Sequence, residues 1–199
     1  MVAGTRHSQY WLTDSGVSPG RAKVSRAAAL SVARGSMGGM TDPGPEVDDR
    51  PPAEVVTGMV DHVLTLAATW PRWDGRPIET PVDGEPPRVY TPHKAIRRVA
   101  DHLLDHLAEL EARLAGQPTE PDHWHASAIT TPADLAPFTA EDLDEAASRL
   151  RRLALIWDVR LRSLTTQQLD QPGQAWTFRQ LAFHVAESAF YADSVGSWP

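Results

Sequence analysis

A chain of 199 residues, 41% hydrophobic and 23% charged, is long enough for one domain with a sizeable core. A formal net charge of −7 argues against nucleic acid or an anionic membrane surface as the main partner, and no apolar run is long enough to span a bilayer. The absence of cysteine excludes disulfides, thiolate ligands and a thiol nucleophile of its own, so any metal must be held by His, Asp or Glu.

Residues 1–39 carry Arg6, Arg21, Lys23, Arg26 and Arg34 against a single acid, Asp14. They are rich in Gly, Ser and Ala and show no sustained apolar period, which predicts disorder. Met40 is an alternative start. An Arg-rich, acid-poor opening also suits a targeting peptide, although a clear apolar centre and cleavage pattern are missing. Residues 1–51 are read as extension and leader, and 52–199 as the folded domain, with the cytoplasm as the expected location.

Pro51-Pro52 opens a first predicted helix over 53–70, because proline suits a first turn. Val55, Met59, Val63, Leu66 and Trp70 give it one apolar face, and His62 sits at the edge of that face. Residues 71–91 are proline-rich and are predicted to form a long connection without strands. Thr91 as N-cap and Pro92 in the first turn start a helix over 91–115. Its stripe is Ile96, Val99, Leu103, Leu107, Leu110 and Leu114. His102 and His106 flank the stripe on one side, and Asp101 and Asp105 point away from it as solvated charges.

A second proline-rich connection, 117–138, contains His123-Trp124-His125. Thr139-Ala140-Glu141-Asp142 then resembles a capping box, opening a helix over 140–168. Leu143, Ala146, Leu150, Leu153, Trp157, Leu161 and Leu164 mark its inner face. Arg149, Arg151, Arg152, Arg160 and Arg162 make the rest basic, either as a solvated face or as partners for acids elsewhere. A last helix is predicted over 175–195, with Phe178, Leu181, Val185, Ser188, Ala192 and Val195 inward. His184 and Tyr191 lie beside that stripe and Glu187 further round. The expected fold is all-α: an antiparallel four-helix bundle with two long proline-rich connections.

Histidines four apart on a helix stack on one face, one turn above the other, which lets a single helix offer two imidazoles to one ion. His102 and His106 form such a pair, and His184, on another helix, is the candidate third ligand, with His62 as the alternative. Three imidazoles leave a coordination position open, the pattern of a catalytic site. The plainer reading is that these rings only pack at a helix seam, since histidine is intermediate in burial. His93 and the His123/His125 pair are assigned to loops, and Trp157 and Trp176 to the core. Tyr191 and Ser188 are read as neighbours of His184.

The segment Arg97-Arg98-Val99-Ala100-Asp101-His102-Leu103-Leu104-Asp105-His106-Leu107-Ala108-Glu109-Leu110 resembles the His-bearing helix of the DinB/YfiT-like bundle superfamily. Trp176-Thr177-Phe178-Arg179-Gln180-Leu181-Ala182-Phe183-His184-Val185-Ala186-Glu187 resembles its W-S/T-x-R-x-x-x-x-H-x-A helix. The likeness covers about residues 52–196. It implies a four-helix bundle holding a divalent metal (Zn, Ni or Fe) on His102, His106 and His184. It also implies a metal-dependent transferase or isomerase that uses an external low-molecular-weight thiol of the mycothiol or bacillithiol type. One departure stands out: the superfamily's single-histidine helix ordinarily comes second and its paired-histidine helix fourth, whereas here the order is exchanged. The expected partners are a small-molecule substrate or thiol and, as one assembly, a homodimer. The alternative is a non-catalytic, stress-linked binding or dimerising bundle.

Overall fold

The protein is described by a computed structural model over residues 49–82, 85–120, 128–172 and 176–199. The chain divides into Met1–Asp49 and Arg50–Pro199, and the second unit is the one described here. The expected extension up to residue 48 and the His123-Trp124-His125 stretch lie outside the described residues.

The described chain is mostly helical, with one small two-stranded sheet. Helix α1 (Pro52–Ala67) starts as expected at a proline and buries Val56, Met59, Val60 and Val63. It ends before the predicted Trp70. That residue opens a 3₁₀ turn, Trp70–Arg72, in which its indole is fully buried and donates from Nε1 to the Gly196 carbonyl at 2.7 Å. Gly196, at φ 70°, adopts a conformation that side chains rarely tolerate, and so turns that carbonyl at the end of the last helix.

The connection after Trp70 corrects the expectation of no strands. Ile78–Val82 (β1) and Glu85–Tyr90 (β2) pair antiparallel, with Ile78 opposite Tyr90 and Thr80 opposite Arg88, and the register shifts between Thr80 and Val82. Pro81, Pro86 and Pro87 mask the pattern in the sequence. A two-stranded sheet consists only of edges, where a missing N–H is tolerated.

Helix α2 (Pro92–Leu114) is capped by Thr91, whose Oγ1 accepts from Lys94 N at 3.2 Å. It buries Ile96, Val99, Leu103, Leu107 and Leu110, and also Lys94 and Arg98. Asp101, expected as a solvated charge, lies 3.8 Å from Arg98 and 3.9 Å from Arg97. A 3₁₀ turn at Ala133–Leu135 leads to α3 (Ala140–Ser163), which opens on the expected Thr139–Asp142 capping box. Trp157 is fully buried on α3 and donates from Nε1 to the Leu103 carbonyl of α2 at 3.0 Å. Arginines of α3 pair with acids: Arg149 with Glu145, Arg160 with Glu111, and Arg162 with Asp158.

Two predicted helices are interrupted. The helix over 140–168 breaks after Ser163, and Thr165 caps a separate short α4 (Thr166–Leu169) through its own capping box with Gln168. The helix over 175–195 is two helices, α5 (Phe178–Ala186) and α6 (Ala189–Val195). At the junction, backbone bonds Ser188 N to Val185 O and Tyr191 N to Ser188 O reach back three residues instead of four, tightening the turn and redirecting the chain. Helices α1 and α2 each contact α3, α5 and α6, and the core is continuous across all of them. This packing brings the second half of α2 against α5.

Candidate metal centre

Helix α2 presents His102 and His106 on successive turns, and α5 presents His184 across the seam. The α5 end is placed by its own capping box, with Thr177 Oγ1 accepting from Gln180 N and Gln180 Oε1 accepting from Thr177 N. One ligand nitrogen from each histidine lies within 4.8 Å of the other two, and this three-histidine group could hold a metal ion. The ring centroids stand 4.6 Å apart for His102–His106, 4.9 Å for His102–His184 and 5.1 Å for His106–His184. Tetrahedral zinc bonds nitrogen at about 2.0–2.1 Å, which sets its nitrogens roughly 3.4 Å apart. The 4.8 Å bound on the three nitrogens admits that spacing.

Two of the rings are oriented by carboxylates. His106 Nδ1 donates to Glu109 Oε2 at 2.9 Å, and His184 Nδ1 donates to Glu187 Oε2 at 3.1 Å. A carboxylate on Nδ1 holds the proton there and leaves the Nε2 lone pair for a ligand, as in the carboxylate–histidine–metal arrangement. Glu109 is itself held by Arg113, whose Nη1 donates to Oε1 at 2.9 Å. Burial by itself would raise the Glu109 pKa; hydrogen bonds from His106 and Arg113 outweigh it and hold the carboxyl below its ordinary range. Trp176 stacks on His184, with centroids 4.2 Å apart and planes at 27°.

Burial and neighbouring charge favour the neutral ring at His102 and at His184. Burial first, then the neighbouring His106, His184 and Arg98, push the His102 pKa well below the ordinary imidazole value. Burial and His106 also lower His184, against the opposing pull of Glu187. Neutral imidazole is the metal-binding form, so burial favours the protonation state that a cation needs.

The three histidines singled out in the sequence are thus brought together, and the other candidates are not. His62, the alternative third ligand, is bound instead to Asp193, with Nε2 2.7 Å from Oδ1. His93 is not in a loop: it stands in the first turn of α2 and donates from Nε2 to the Pro137 carbonyl at 3.2 Å, packed edge-on to Phe138. Ser188 is buried with its hydroxyl 3.8 Å from the Met59 sulfur, and Tyr191 packs against Tyr90 beneath the Arg98 guanidinium. Glu109, Arg113 and the role of Trp176 were missed. One signal for the carboxylates was present: a glutamate follows His106 and His184 alike by three residues, the spacing at which helical side chains meet.

Compared with protein-family models, with curated proteins and with solved structures, the chain matches none. The site is therefore read from its own geometry.

Proposed function

We propose that the helices form a four-helix bundle of the DinB/YfiT-like kind whose three histidines, His102, His106 and His184, hold a divalent metal ion for thiol chemistry. The observation that carries this reading is the convergence of three imidazole nitrogens within 4.8 Å, two of the rings having Nδ1 on a carboxylate. Zinc, nickel and iron(II) all suit neutral imidazole. When bound, such an ion lowers the pKa of a coordinated thiol toward neutrality and so supplies a thiolate at physiological pH. The chain has no cysteine, so the thiol comes from outside, as a low-molecular-weight cosubstrate. The reaction class is transfer of that sulfur to an electrophilic carbon, or isomerisation through a reversible thiol adduct. In either case His102, His106 and His184 bind, Glu109 and Glu187 orient the rings, and Trp176 walls the site beside His184.

Metal content is the direct test. The purified protein is expected to retain about one equivalent of a transition metal, and His102→Ala and His184→Ala to lose it. Turnover of a generic electrophile with a small thiol, abolished by the same substitutions, supports the transferase reading. Metal retention without turnover would favour the non-catalytic bundle, and a metal-free protein that gains none on incubation would overturn the site.

A further inference from the structure

The three histidines belong to two helices, and Arg113, outside the candidate ligand set, touches both halves. Arg113 ends α2 two turns after His106 and is 16% exposed at its side chain. Its Nη1 donates to Glu109 Oε1 at 2.9 Å, and the other oxygen of that carboxylate takes the His106 Nδ1 proton. Its Nη2 donates to the Trp176 carbonyl at 2.8 Å. The guanidinium also lies over the Phe178 ring, 4.3 Å from its centroid, at the first residue of α5. Trp176 in turn stacks on His184. One cation thus connects to His106 through Glu109 and to His184 through Trp176.

We propose that Arg113 is a positioning residue that sets the two histidine-bearing helices at the separation a metal ion needs; this rests on the metal reading above. A planar guanidinium suits the task because its N–H groups point in fixed directions while its face stacks on a ring. A lysine ammonium can still meet Glu109, but it cannot hold that carboxylate, the Trp176 carbonyl and the Phe178 face in one fixed geometry. Arg113 touches no ligand nitrogen, so its effect travels through the orientation of the rings.

The experiment measures Zn²⁺ affinity by competition with a chromogenic chelator, and the Co²⁺ ligand-field spectrum, for the wild type, Arg113→Gln, Arg113→Lys and Arg160→Gln. The last breaks the pair between Arg160 of α3 and Glu111 of α2, away from the histidines, and controls for loss of an ion pair as such. Arg113→Gln is expected to weaken Zn²⁺ binding by about 10- to 100-fold and to shift the Co²⁺ bands, the usual size of an effect exerted through a ligand's partner. Arg113→Lys is expected to lose less, and Arg160→Gln to match the wild type in both readouts. If Arg113→Gln fails to fold, Arg113→Lys carries the test. Wild-type affinity and spectrum in the Arg113 variants, or an equal loss in Arg160→Gln, would overturn the proposal while leaving the metal site standing. A wild type that binds neither Zn²⁺ nor Co²⁺ would overturn the metal reading and this proposal with it.

Discussion

An ammonium buried away from water loses hydration that a hydrogen bond only partly replaces. Lys94 is fully buried, and its Nζ donates to Thr130 Oγ1 at 3.0 Å with the Tyr90 ring 5.3 Å away. Burial, reinforced by Arg97, Arg88 and Arg98 against the opposing Asp134, lowers its pKa from 10.5 to about 8. Between those two values the unfolded chain binds the proton more readily than the folded one, so stability rises with pH across that window. Lys94→Met, of similar shape and without charge, is expected to gain about 1–3 kcal/mol at pH 7. The gain should shrink as pH rises through 8 and be absent above 10.5, as chemical denaturation at several pH values would show. His102 works at the other end of the scale. Its folded pKa lies well below the ordinary value, so the unfolded state takes up protons first as pH falls below about 6.5. The metal-free protein should lose thermal stability from pH 7 to pH 5, and His102→Gln should flatten that slope. At this scale the His102 and His106 pair could be read from spacing, whereas His184 is inferred from its place on another helix, with His62 as the alternative. The glutamates at 109 and 187 carry only the weak signal of their spacing, because a glutamate three residues along a helix is as often a solvated charge as a partner.

The element that carries His184 is short. Helix α5 has nine residues, too few to be stable alone, and its start depends on the Thr177–Gln180 capping box. Thr177→Ala is expected to cost about 0.5–2 kcal/mol in thermal or denaturant unfolding, and Thr177→Ser to restore most of it. The three longest helices were legible because each buries one stripe at a helical period, as Val99, Leu103, Leu107 and Leu110 do on α2. The hairpin was not, because prolines at 81, 86 and 87 carry the composition of a loop while Ile78, Val89 and Tyr90 carry the pairing. The break at Glu187 and Ser188 was hidden for another reason. The apolar stripe Val185, Ser188, Ala192 and Val195 keeps a helical spacing across it, since both helices pack on one core.

Across the whole folded unit, the proposed metal binding would make site occupancy and stability one equilibrium. Ligands drawn from α2 and α5 converge only when those helices are docked, so an ion stabilises the folded state by mass action. At a free concentration of about 100 times Kd the gain is roughly 2.7 kcal/mol. For a folded unit of this size that corresponds to a rise of about 5–10 °C in Tm. Chelator-treated protein titrated with Zn²⁺ in a thermal melt should show the rise, and His184→Ala should show none. Convergence of the three histidines does not depend on which helix comes first along the chain, because α2 and α5 are neighbours in the fold.

The indole lying flat on His184 has an optical consequence. Ions with partly filled d shells extinguish the emission of an aromatic ring held this close, whereas zinc does not. Occupancy by copper or nickel should therefore dim part of the native tryptophan fluorescence, and Trp176→Phe should abolish that dimming without abolishing uptake of the ion. On the metal reading proposed above, that dimming reports filling by an open-shell ion and is readable without any added dye.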